Sequence, residues 1–433
     1  MVGIAKISAF QILDSRGNPT ICCKCYLDNG VVADYSVPSG ASTGVLEAHE
    51  LRDHNMRFFL GKGVSKAIAI INDVIAPKII GLDPTIQENL DATLLELDGS
   101  QNIANLGANS VLAVSMAVAK AAAKSCGQEL YQYIGDSSVF SLPVPFMNIL
   151  NGGQHASNNV DIQEFMIAPV GFETFSEALR AGTEIYHNLA KILRQHNMST
   201  AVGDEGGFAP NLNSIDDAFE LMIEAIKISN YKLGKEIFFA IDVAASEFYD
   251  GENYRLDDGK NVFTPNEWSG QLVKLVDTYP IISIEDGMAE NDFFGWGELT
   301  RSLDSRVQLV GDDLFVTQAK VLQQGIDDNL ANAILIKPNQ VGTLTGTLMT
   351  IGLAKKYNYN FMISHRSGET TDTSIADLAV ATGAGQIKTG APCRGERLAK
   401  YNRILELEHD MAMTASYSGL STLKKYLKND VSV

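Results

Sequence analysis

The stretch PIISIEDGM, residues 280–288, holds the pattern that decides the fold, a short apolar run that stops at two acids. Residues 281–284 lack a regular polar and apolar alternation, which is typical of a strand covered on both faces of a parallel sheet. Glu285 and Asp286 follow at once, although the net charge of the chain is already −18. Successive strand residues point to opposite faces, so only one of these acids can face a barrel interior. We expect Glu285 to point inward and Asp286 to make hydrogen bonds in the following turn.

The same pattern recurs between residues 236 and 390, where short apolar runs alternate with helical stretches. The runs end at Asp242, Glu285, Asp312, Lys337, His365 and Lys388. Neighbouring members lie roughly 23 to 43 residues apart, which suits one strand, one helix and two loops. A doubly wound open sheet is the alternative, but no glycine-rich fingerprint follows a first strand. The sequence therefore predicts a (β/α)8-type barrel over residues 139–433, with polar residues at its strand ends.

The first third of the chain has a different pattern and predicts a smaller α+β domain over residues 1–138. Two strand-like stretches meet at the sequence DNG, residues 28–30, which favours a hairpin turn. Helical stretches follow, among them residues 45–54 and residues 107–127. The second of these is rich in alanine but too short, and interrupted by Lys120, to span a membrane.

Composition excludes several classes of function. The acidic net charge argues against a nucleic-acid-binding protein, which needs a basic face. No signal peptide is visible, and the five cysteines are an odd number, so we expect a reducing cytoplasm. Cys22, Cys23 and Cys25 have no second cluster of metal-ligand spacing and are expected to be small apolar residues of a strand.

Three acids close successive strands and suggest a metal site. Asp242, Glu285 and Asp312 offer hard oxygen ligands without cysteine or histidine, which favours Mg²⁺ or Mn²⁺ over zinc. A single such acid would more often cap the next helix, but three at consecutive strand ends favour a shared ion. The sequence thus predicts a hard-cation centre at one end of the barrel.

Cations and further acids surround this centre in the sequence pattern. Lys337, Arg366 and Lys388 form the positive cluster that an anionic substrate would need in an acidic protein. Glu205 follows Asp204 among glycines, and adjacent acids can raise the pKa of one of them to make a general acid. An acid in a turn facing solvent is the alternative for Glu205. Together these groups point to proton abstraction beside a carboxylate, with metal charge stabilising the enediolate, as in known lysine-based examples.

The ordered motifs of the chain resemble those of the enolase family, of the bacterial type. The resemblance runs from DSRGNPT, residues 14–20, to near the C-terminus. Its motifs are VPSGASTG, NILNGGQHASNN, DIQEFMI, AVGDEGGFAPN, IDVAASEF, SIEDGMAEND, LVGDDLFVT, ILIKPNQVGTLT, SHRSGETTD and IKTGAPCRGERLAKYN. The resemblance implies reversible dehydration of 2-phosphoglycerate to phosphoenolpyruvate with two Mg²⁺ ions per site. It also implies a cytoplasmic dimer or octamer, with a surface or secreted fraction in some members.

The resemblance implies roles for individual residues. Asp242, Glu285 and Asp312 would hold the first Mg²⁺, and Ser42 would help to hold the second. Lys337 would be the base at C2. Glu205 would be the acid, with Glu164 as its support. The substrate contacts would be Arg366 and Ser367 at the phosphate, and His155, Gln163, His365 and Lys388 elsewhere.

The resemblance also sets an expectation for the proposed base and leaves two alternative functions open. Nearby Mg²⁺ and Lys388 would lower the pKa of Lys337, so that part of it is neutral. Other enzymes of the same superfamily, such as acid-sugar dehydratases, remain alternatives, although the motifs SGAST and GDEGG favour an enolase. A binding role, as a surface receptor or a scaffold in an RNA-processing assembly, has one local hint, the basic tail at residues 423–428.

Overall fold

The computed structural model describes residues 2–40, 44–135, 140–411 and 414–427. Ser42 and the predicted domain boundary at residues 138 and 139 therefore lie outside the described residues. Within these ranges, no helix combines the length and the apolar character that crossing a bilayer requires.

The N-terminal part is an antiparallel three-stranded sheet covered by helices. Its strands are β1 (Ile4–Leu13), β2 (Pro19–Leu27) and β3 (Val32–Ser36), paired in that order. Its helices are α1 (Ser65–Ala69), α2 (Ala76–Ile79), α3 (Gln87–Asp98), α4 (Ala108–Ser125) and α5 (Leu130–Ile134), with a π-helical segment, Ile70–Ile75, joining α1 to α2. The expected hairpin turn is present, with Gly30 at φ +88°. Cys22, Cys23 and Cys25 are buried free thiols in β2, as expected.

The prediction of a helix over residues 45–54 is wrong. Backbone N–H groups that a helix would pair internally go elsewhere, from Ala48 to the carbonyl of Gln340 at 2.9 Å and from His49 to that of Asn102 at 2.8 Å. Helix propensity is a weak preference that tertiary contacts override. The segment instead extends across the barrel end.

The C-terminal part is a closed eight-stranded barrel with helices outside it. The strands of this part are β4 (Ser141–Leu142), β5 (Val144–Asn151), β6 (Glu164–Pro169), β7 (Ile237–Asp242), β8 (Tyr254–Leu256), β9 (Asn261–Phe263), β10 (Ile281–Glu285), β11 (Gln308–Gly311), β12 (Ala333–Ile336), β13 (Asn360–Ser364), β14 (Gln386–Lys388) and β15 (Ser416–Tyr417). The helices are α6 (Phe175–Gln195), α7 (Ile215–Ile228), α8 (Pro265–Thr278), α9 (Phe293–Leu303), α10 (Ala319–Asp327), α11 (Pro338–Val341), α12 (Leu344–Lys356), α13 (Ser374–Thr382) and α14 (Gly395–Met411). The barrel order is β10-β11-β12-β13-β14-β5-β6-β7, while β4 pairs with β15 and β8 with β9.

One barrel strand departs from the all-parallel arrangement that the sequence predicted. β6 is antiparallel to both of its neighbours, β5 and β7. The connection from β5 to β6 covers residues 152–163, and a parallel crossover usually needs a helix within a dozen or more residues. The reversal brings the first residue of β6, Glu164, beside Asn151 and Asp242, at the carboxyl ends of β5 and β7.

The other end of the barrel is sealed by the C-terminal 3-10 segment, Gly419–Tyr426. Leu423 and Tyr426 are buried in the apolar cluster inside the barrel, which includes Val144 at the start of β5. The Tyr426 hydroxyl donates to Asn332, just before β12, at 2.8 Å. The described part of the basic tail thus serves packing, with only its lysines exposed.

Candidate active site

The carboxyl ends of the barrel strands enclose a polar cavity. Its lining residues are His155, Gln163, Glu164, Glu205, Asp242, Asp312, Lys337, Ser364, His365, Arg366, Ser367 and Lys388. Eleven of these twelve are residues that the sequence or the family resemblance assigned to the site. The remaining assigned residue among those described, Glu285, lies directly behind Lys388. The structure therefore brings the assigned side chains of seven strand ends and two loops to one place.

A buried ammonium group occupies the middle of the carboxylates. Lys388 Nζ lies 2.8 Å from Glu285 Oε1, 3.1 Å from Asp242 Oδ2 and 3.1 Å from Glu164 Oε1. Glu285 and Asp242 are register partners on β10 and β7, so the adjacent strands place both carboxylates beside this lysine. Burial lowers the pKa of Lys388, but these carboxylates outweigh it and raise the pKa well above its usual value.

The third predicted ligand, Asp312, is held by other partners. Asp312 Oδ2 pairs with Lys337, and Asp312 Oδ1 accepts from Gln340 Nε2 at 3.0 Å. Among the described residues, the carboxylates of Asp242, Glu285 and Asp312 do not all come within 4.8 Å of one another. The predicted ligand set is therefore at one end of the barrel but not gathered around one point.

The donor set nevertheless fits a hard divalent cation. Glu285 Oε2 is buried and has no hydrogen-bond partner among the described residues, which is costly unless a further group binds it. The Lys388 ammonium shows that these oxygens already assemble around a positive charge. All three predicted side chains, Asp242, Glu285 and Asp312, offer oxygen atoms, which suits Mg²⁺.

Asp286 lies on the other side of the strand end, as expected. Its Oδ1 accepts from the Asp312 N–H at 2.9 Å and its Oδ2 from the Asp313 N–H at 2.8 Å. Its own backbone has φ +41°, so the chain turns sharply here. Asp286 thus ties the end of β10 to the turn after β11, while Glu285 contacts Lys388, which lines the cavity.

A second cluster joins β6 to the glycine-rich loop after α6. His155 Nδ1 lies 3.4 Å from Glu164 Oε1 and 3.8 Å from Glu205 Oε1. Glu205 Oε2 also accepts from Asn148 Nδ2 at 3.1 Å. Gly206 has φ +89°, and a Cβ there would lie 3.0 Å from the Cys393 carbonyl, so the loop needs glycine for its close approach.

The pKa values of the two carboxyl groups of this cluster, Glu164 and Glu205, shift in opposite directions. Burial, followed by the charge of Glu205, raises the pKa of Glu164 well above its usual value. Burial also raises the pKa of Glu205, but His365 and His155 outweigh it and hold the pKa well below its usual range. The sequence suggested that adjacent acids could raise the pKa of one of the pair, Asp204 and Glu205. For Glu205 the shift is the reverse, because His365, His155 and Arg397 around it stabilise its charged form.

The protein groups alone shift the pKa of Lys337 upward. Burial lowers it, but the nearby carboxylates, with Asp312 foremost and Glu285 behind it, together outweigh burial, and the net shift is upward. The expected lowering assumed Mg²⁺ beside this lysine. The protein groups alone surround Lys337 with enough negative charge to keep it protonated.

Arg366 makes a contact that the sequence did not predict. Arg366 Nη1 donates to Glu47 Oε2 at 3.0 Å, and Glu47 Oε1 accepts from Gln340 Nε2 at 3.1 Å. Glu47 lies in the segment that was predicted to be helical, so the sequence pattern did not indicate this contact. Ser39 and Gly368 form an antiparallel bridge with hydrogen bonds of 2.7 and 2.8 Å. This bridge joins the N-terminal part of the chain to the turn that follows Arg366.

The fold and the site together define a class of protein. Carboxylates, lysines and an arginine at the carboxyl ends of barrel strands are the arrangement of a barrel enzyme with an anionic substrate. Comparison with known families makes this specific. The family model described as "Enolase, C-terminal TIM barrel domain" matches residues 139–426, and "Enolase, N-terminal domain" matches residues 4–134. The chain belongs to the enolase family, and the predicted architecture of a barrel with a smaller N-terminal domain is confirmed.

Family membership carries a general function. Enolase-family proteins are in general Mg²⁺-dependent and act on small phosphorylated substrates, and the chain is accordingly a lyase of the hydratase kind.

Proposed function

We propose that the protein is a glycolytic enolase that reversibly dehydrates 2-phospho-D-glycerate to phosphoenolpyruvate. The observation that carries this proposal is the placement of the base and the acid. Lys337 follows β12 and Glu164 begins β6, and these strands are four positions apart in the eight-stranded barrel. A base and an acid therefore face a substrate in the cavity from opposite sides, as removal of a proton from C2 and a hydroxyl from C3 requires.

Lys337 is the proposed base. It points into the cavity from the strand end, where Asp312 orients its ammonium group. Asp312 must turn to another cation for Lys337 to lose its proton, because this pair holds the lysine protonated in the substrate-free protein. Release of that contact on substrate and metal binding supplies the neutral amine.

Glu205 and Glu164 are the proposed acid pair. Carboxylate atoms of both lie within 4.8 Å of each other, with His155 between them, so the pair favours holding one proton. Glu164 keeps this proton in the substrate-free protein, as its raised pKa indicates. Transfer to Glu205 and then to the departing C3 hydroxyl completes the role that the family resemblance suggests.

The anionic groups of the substrate are assigned to cations and polar side chains that line the same cavity. Arg366 and Ser367 would bind the phosphate, since a planar guanidinium can make two parallel bonds to it. Lys388, His155, Gln163 and His365 would contact the remainder of the substrate. The cavity lining includes all six side chains.

Asp242, Glu285 and Asp312 would hold the first of two Mg²⁺ ions. When bound, Mg²⁺ supplies positive charge that stabilises the carboxylate of the substrate as C2 loses its proton. Lys388 already contacts two of these carboxylates and would stay beside them as a substrate contact. The assignment of Ser42 to the second ion rests on the family resemblance alone.

The test follows phosphoenolpyruvate formation by its ultraviolet absorbance after 2-phosphoglycerate and Mg²⁺ are added. Lys337→Ala should abolish the signal and retain Mg²⁺ binding, whereas Lys320→Ala, at an exposed position on α10, should leave both unchanged. Turnover of an acid sugar instead of 2-phosphoglycerate would refute the proposed reaction. Full turnover by Lys337→Ala would remove this lysine as the base.

Assembly and location are proposals from the same resemblance. We expect a homodimer or an octamer in a cytoplasmic fraction, and sedimentation velocity of the purified protein would distinguish these sizes from a monomer.

A further inference from the structure

Arg397 is a buried arginine outside the assigned site. It contacts both the loop that carries Glu205 and the turn that carries Arg366 and Ser367. Arg397, on α14, has no solvent exposure. Its Nη1 donates to His365 Nδ1 and to the Arg366 carbonyl, each at 2.6 Å. Its Nη2 donates to the Ser367 carbonyl at 2.6 Å and to the Asp204 carbonyl at 3.2 Å. A single planar group therefore links the turn after β13 to the loop that carries Glu205.

The contact with His365 decides which ring nitrogen carries the proton. A guanidinium can only donate hydrogen bonds, so His365 Nδ1 must accept. Burial lowers the pKa of His365 to about 3, so the ring is neutral and its proton lies on Nε2. Nε2 lies 3.1 Å from Glu205 Oε1 but is not aligned for a good hydrogen bond. Such bonds are often poorly aligned in substrate-free enzymes and tighten when substrate binds.

The carbonyl contacts fix the neighbouring backbone. The Arg366 and Ser367 carbonyls converge on the Arg397 side chain, so the turn that presents these two residues to the cavity cannot rotate independently. The Asp204 carbonyl adds the residue just before Glu205 to the same support. A lysine at this position has one compact ammonium and could not reach all of these acceptors in one plane.

We propose that Arg397 is a positioning residue for the dehydration, which holds His365 as the Nε2–H tautomer facing Glu205 and sets the Arg366–Ser367 turn. Arg397 does not line the cavity and touches no group assigned to the reacting atoms except through His365 and the backbone. The kinetic part of this inference rests on the proposed function, but the tautomer part does not.

The first experiment uses the unmodified protein without metal or substrate. Long-range ¹H–¹⁵N correlation spectra of the histidine rings, assigned with a His365→Gln variant, report which nitrogen of His365 is protonated. We expect Nδ1 to be unprotonated and Nε2 protonated throughout the neutral pH range. A protonated Nδ1, or a doubly protonated ring near pH 7, would overturn the proposal whatever the protein turns over.

The second experiment compares two conservative substitutions on α14. Arg397→Lys should lower kcat/KM for 2-phosphoglycerate by roughly 100-fold, as small misplacements of catalytic groups do. It should also convert part of His365 to the other tautomer. Arg403→Lys is the matched control, because Arg403 binds Asp377 through two bonds of 2.8 and 3.1 Å and contacts neither loop. This control should lose some stability but keep the His365 tautomer and turnover within a few-fold of the unmodified protein.

The outcomes distinguish a failure of the proposed reaction from a failure of the positioning role of Arg397. Absence of turnover in the unmodified protein together with the expected tautomer would refute the proposed reaction and leave the role of Arg397 in place. Unchanged turnover and tautomer in a folded Arg397→Lys protein would refute the positioning role. If Arg397→Lys does not fold, the spectrum of the unmodified protein still decides the tautomer.

Discussion

The two adjacent acids at the end of β10 should respond differently when each is made neutral. In Asp286→Asn, one of the two backbone N–H groups, from Asp312 or Asp313, loses its oxygen acceptor and faces an amide donor. An unsatisfied buried donor costs about 1–3 kcal/mol. Burial raises the pKa of Asp286 and so weakens its charged form, which places the loss near the lower end of that range. About 1–2 kcal/mol corresponds to a fall in melting temperature of roughly 2–3 °C for a domain of this size.

Glu285→Gln should act on cation binding instead. Asp242, Glu285 and Asp312 face the ammonium groups of Lys388 and Lys337, and burial raises the pKa of Glu285 well above its usual value. The substitution replaces one carboxylate oxygen with an amide, which cannot take the negative charge that a bound cation would favour on Glu285. Because even supporting residues around metal ligands change affinity by about 10–100-fold, we expect Mg²⁺ affinity to fall by about 100-fold or more. Stability without metal should change little, since removing a buried charge with an unpaired oxygen offsets the loss of its contact with Lys388.

Two measurements separate these effects. Isothermal titration calorimetry gives the Mg²⁺ affinity of each variant, and thermal unfolding in the presence of a chelator gives its stability without metal. We expect Asp286→Asn to lose stability with a small change in affinity, and Glu285→Gln to show the opposite. Equal losses of Mg²⁺ affinity in the two variants would refute the assignment of these side chains to opposite faces of the strand end.

Three further outcomes follow from the structure. Glu47→Gln should lower the KM for the phosphorylated substrate by up to about tenfold in steady-state kinetics, because the phosphate no longer competes with a carboxylate for Arg366; an unchanged KM would contradict this. Thiol titration of the native protein should modify the exposed Cys126 and spare the buried Cys23, since burial raises the pKa of the Cys23 thiol; modification of Cys23 before unfolding would contradict the packing of β2. Leu423→Ala should destabilise the protein by about 2–5 kcal/mol in urea unfolding, by opening a cavity at the sealed end of the barrel; an unchanged midpoint would show that the tail contributes nothing there.

The barrel was predictable because its signal is local. Each apolar run and the charged residue after it, such as Glu285 or Lys388, are adjacent in the sequence. The direction of β6 was not predictable in the same way. It depends on a connection of residues 152–163 that lacks a crossover helix, and the strand pattern is the same for either direction. Gln163 and Glu164 stood out in the sequence as candidates, and their roles therefore came only from the family resemblance.

The missed contacts share a different cause, which is long sequence separation. Glu47 meets Arg366 across 319 positions, and its neighbours have the composition of a helix. Arg397 lies within the motif IKTGAPCRGERLAKYN, yet nothing local shows that its side chain turns inward to His365. The reversed pKa shift of Glu205 has the same origin, because the donors around it come from other segments of the chain. Local patterns indicate which residue types are present, and the fold decides which of them neutralise one another.

This mutual neutralisation has a consequence for ligand binding. In the substrate-free protein Lys337 is paired with Asp312, Arg366 with Glu47, and Lys388 with the carboxylates of β7 and β10. An anionic substrate must take cations from these pairs, and the carboxylates left behind would be buried without a counter-charge. A divalent cation bound by those carboxylates removes this cost, and the freed lysine and arginine in turn favour the anion. Mg²⁺ and substrate should therefore strengthen each other's binding by the same factor, as linkage requires, and calorimetric titrations of each ligand with and without the other measure that factor. Independent binding of the two would show that these ion pairs do not exchange partners.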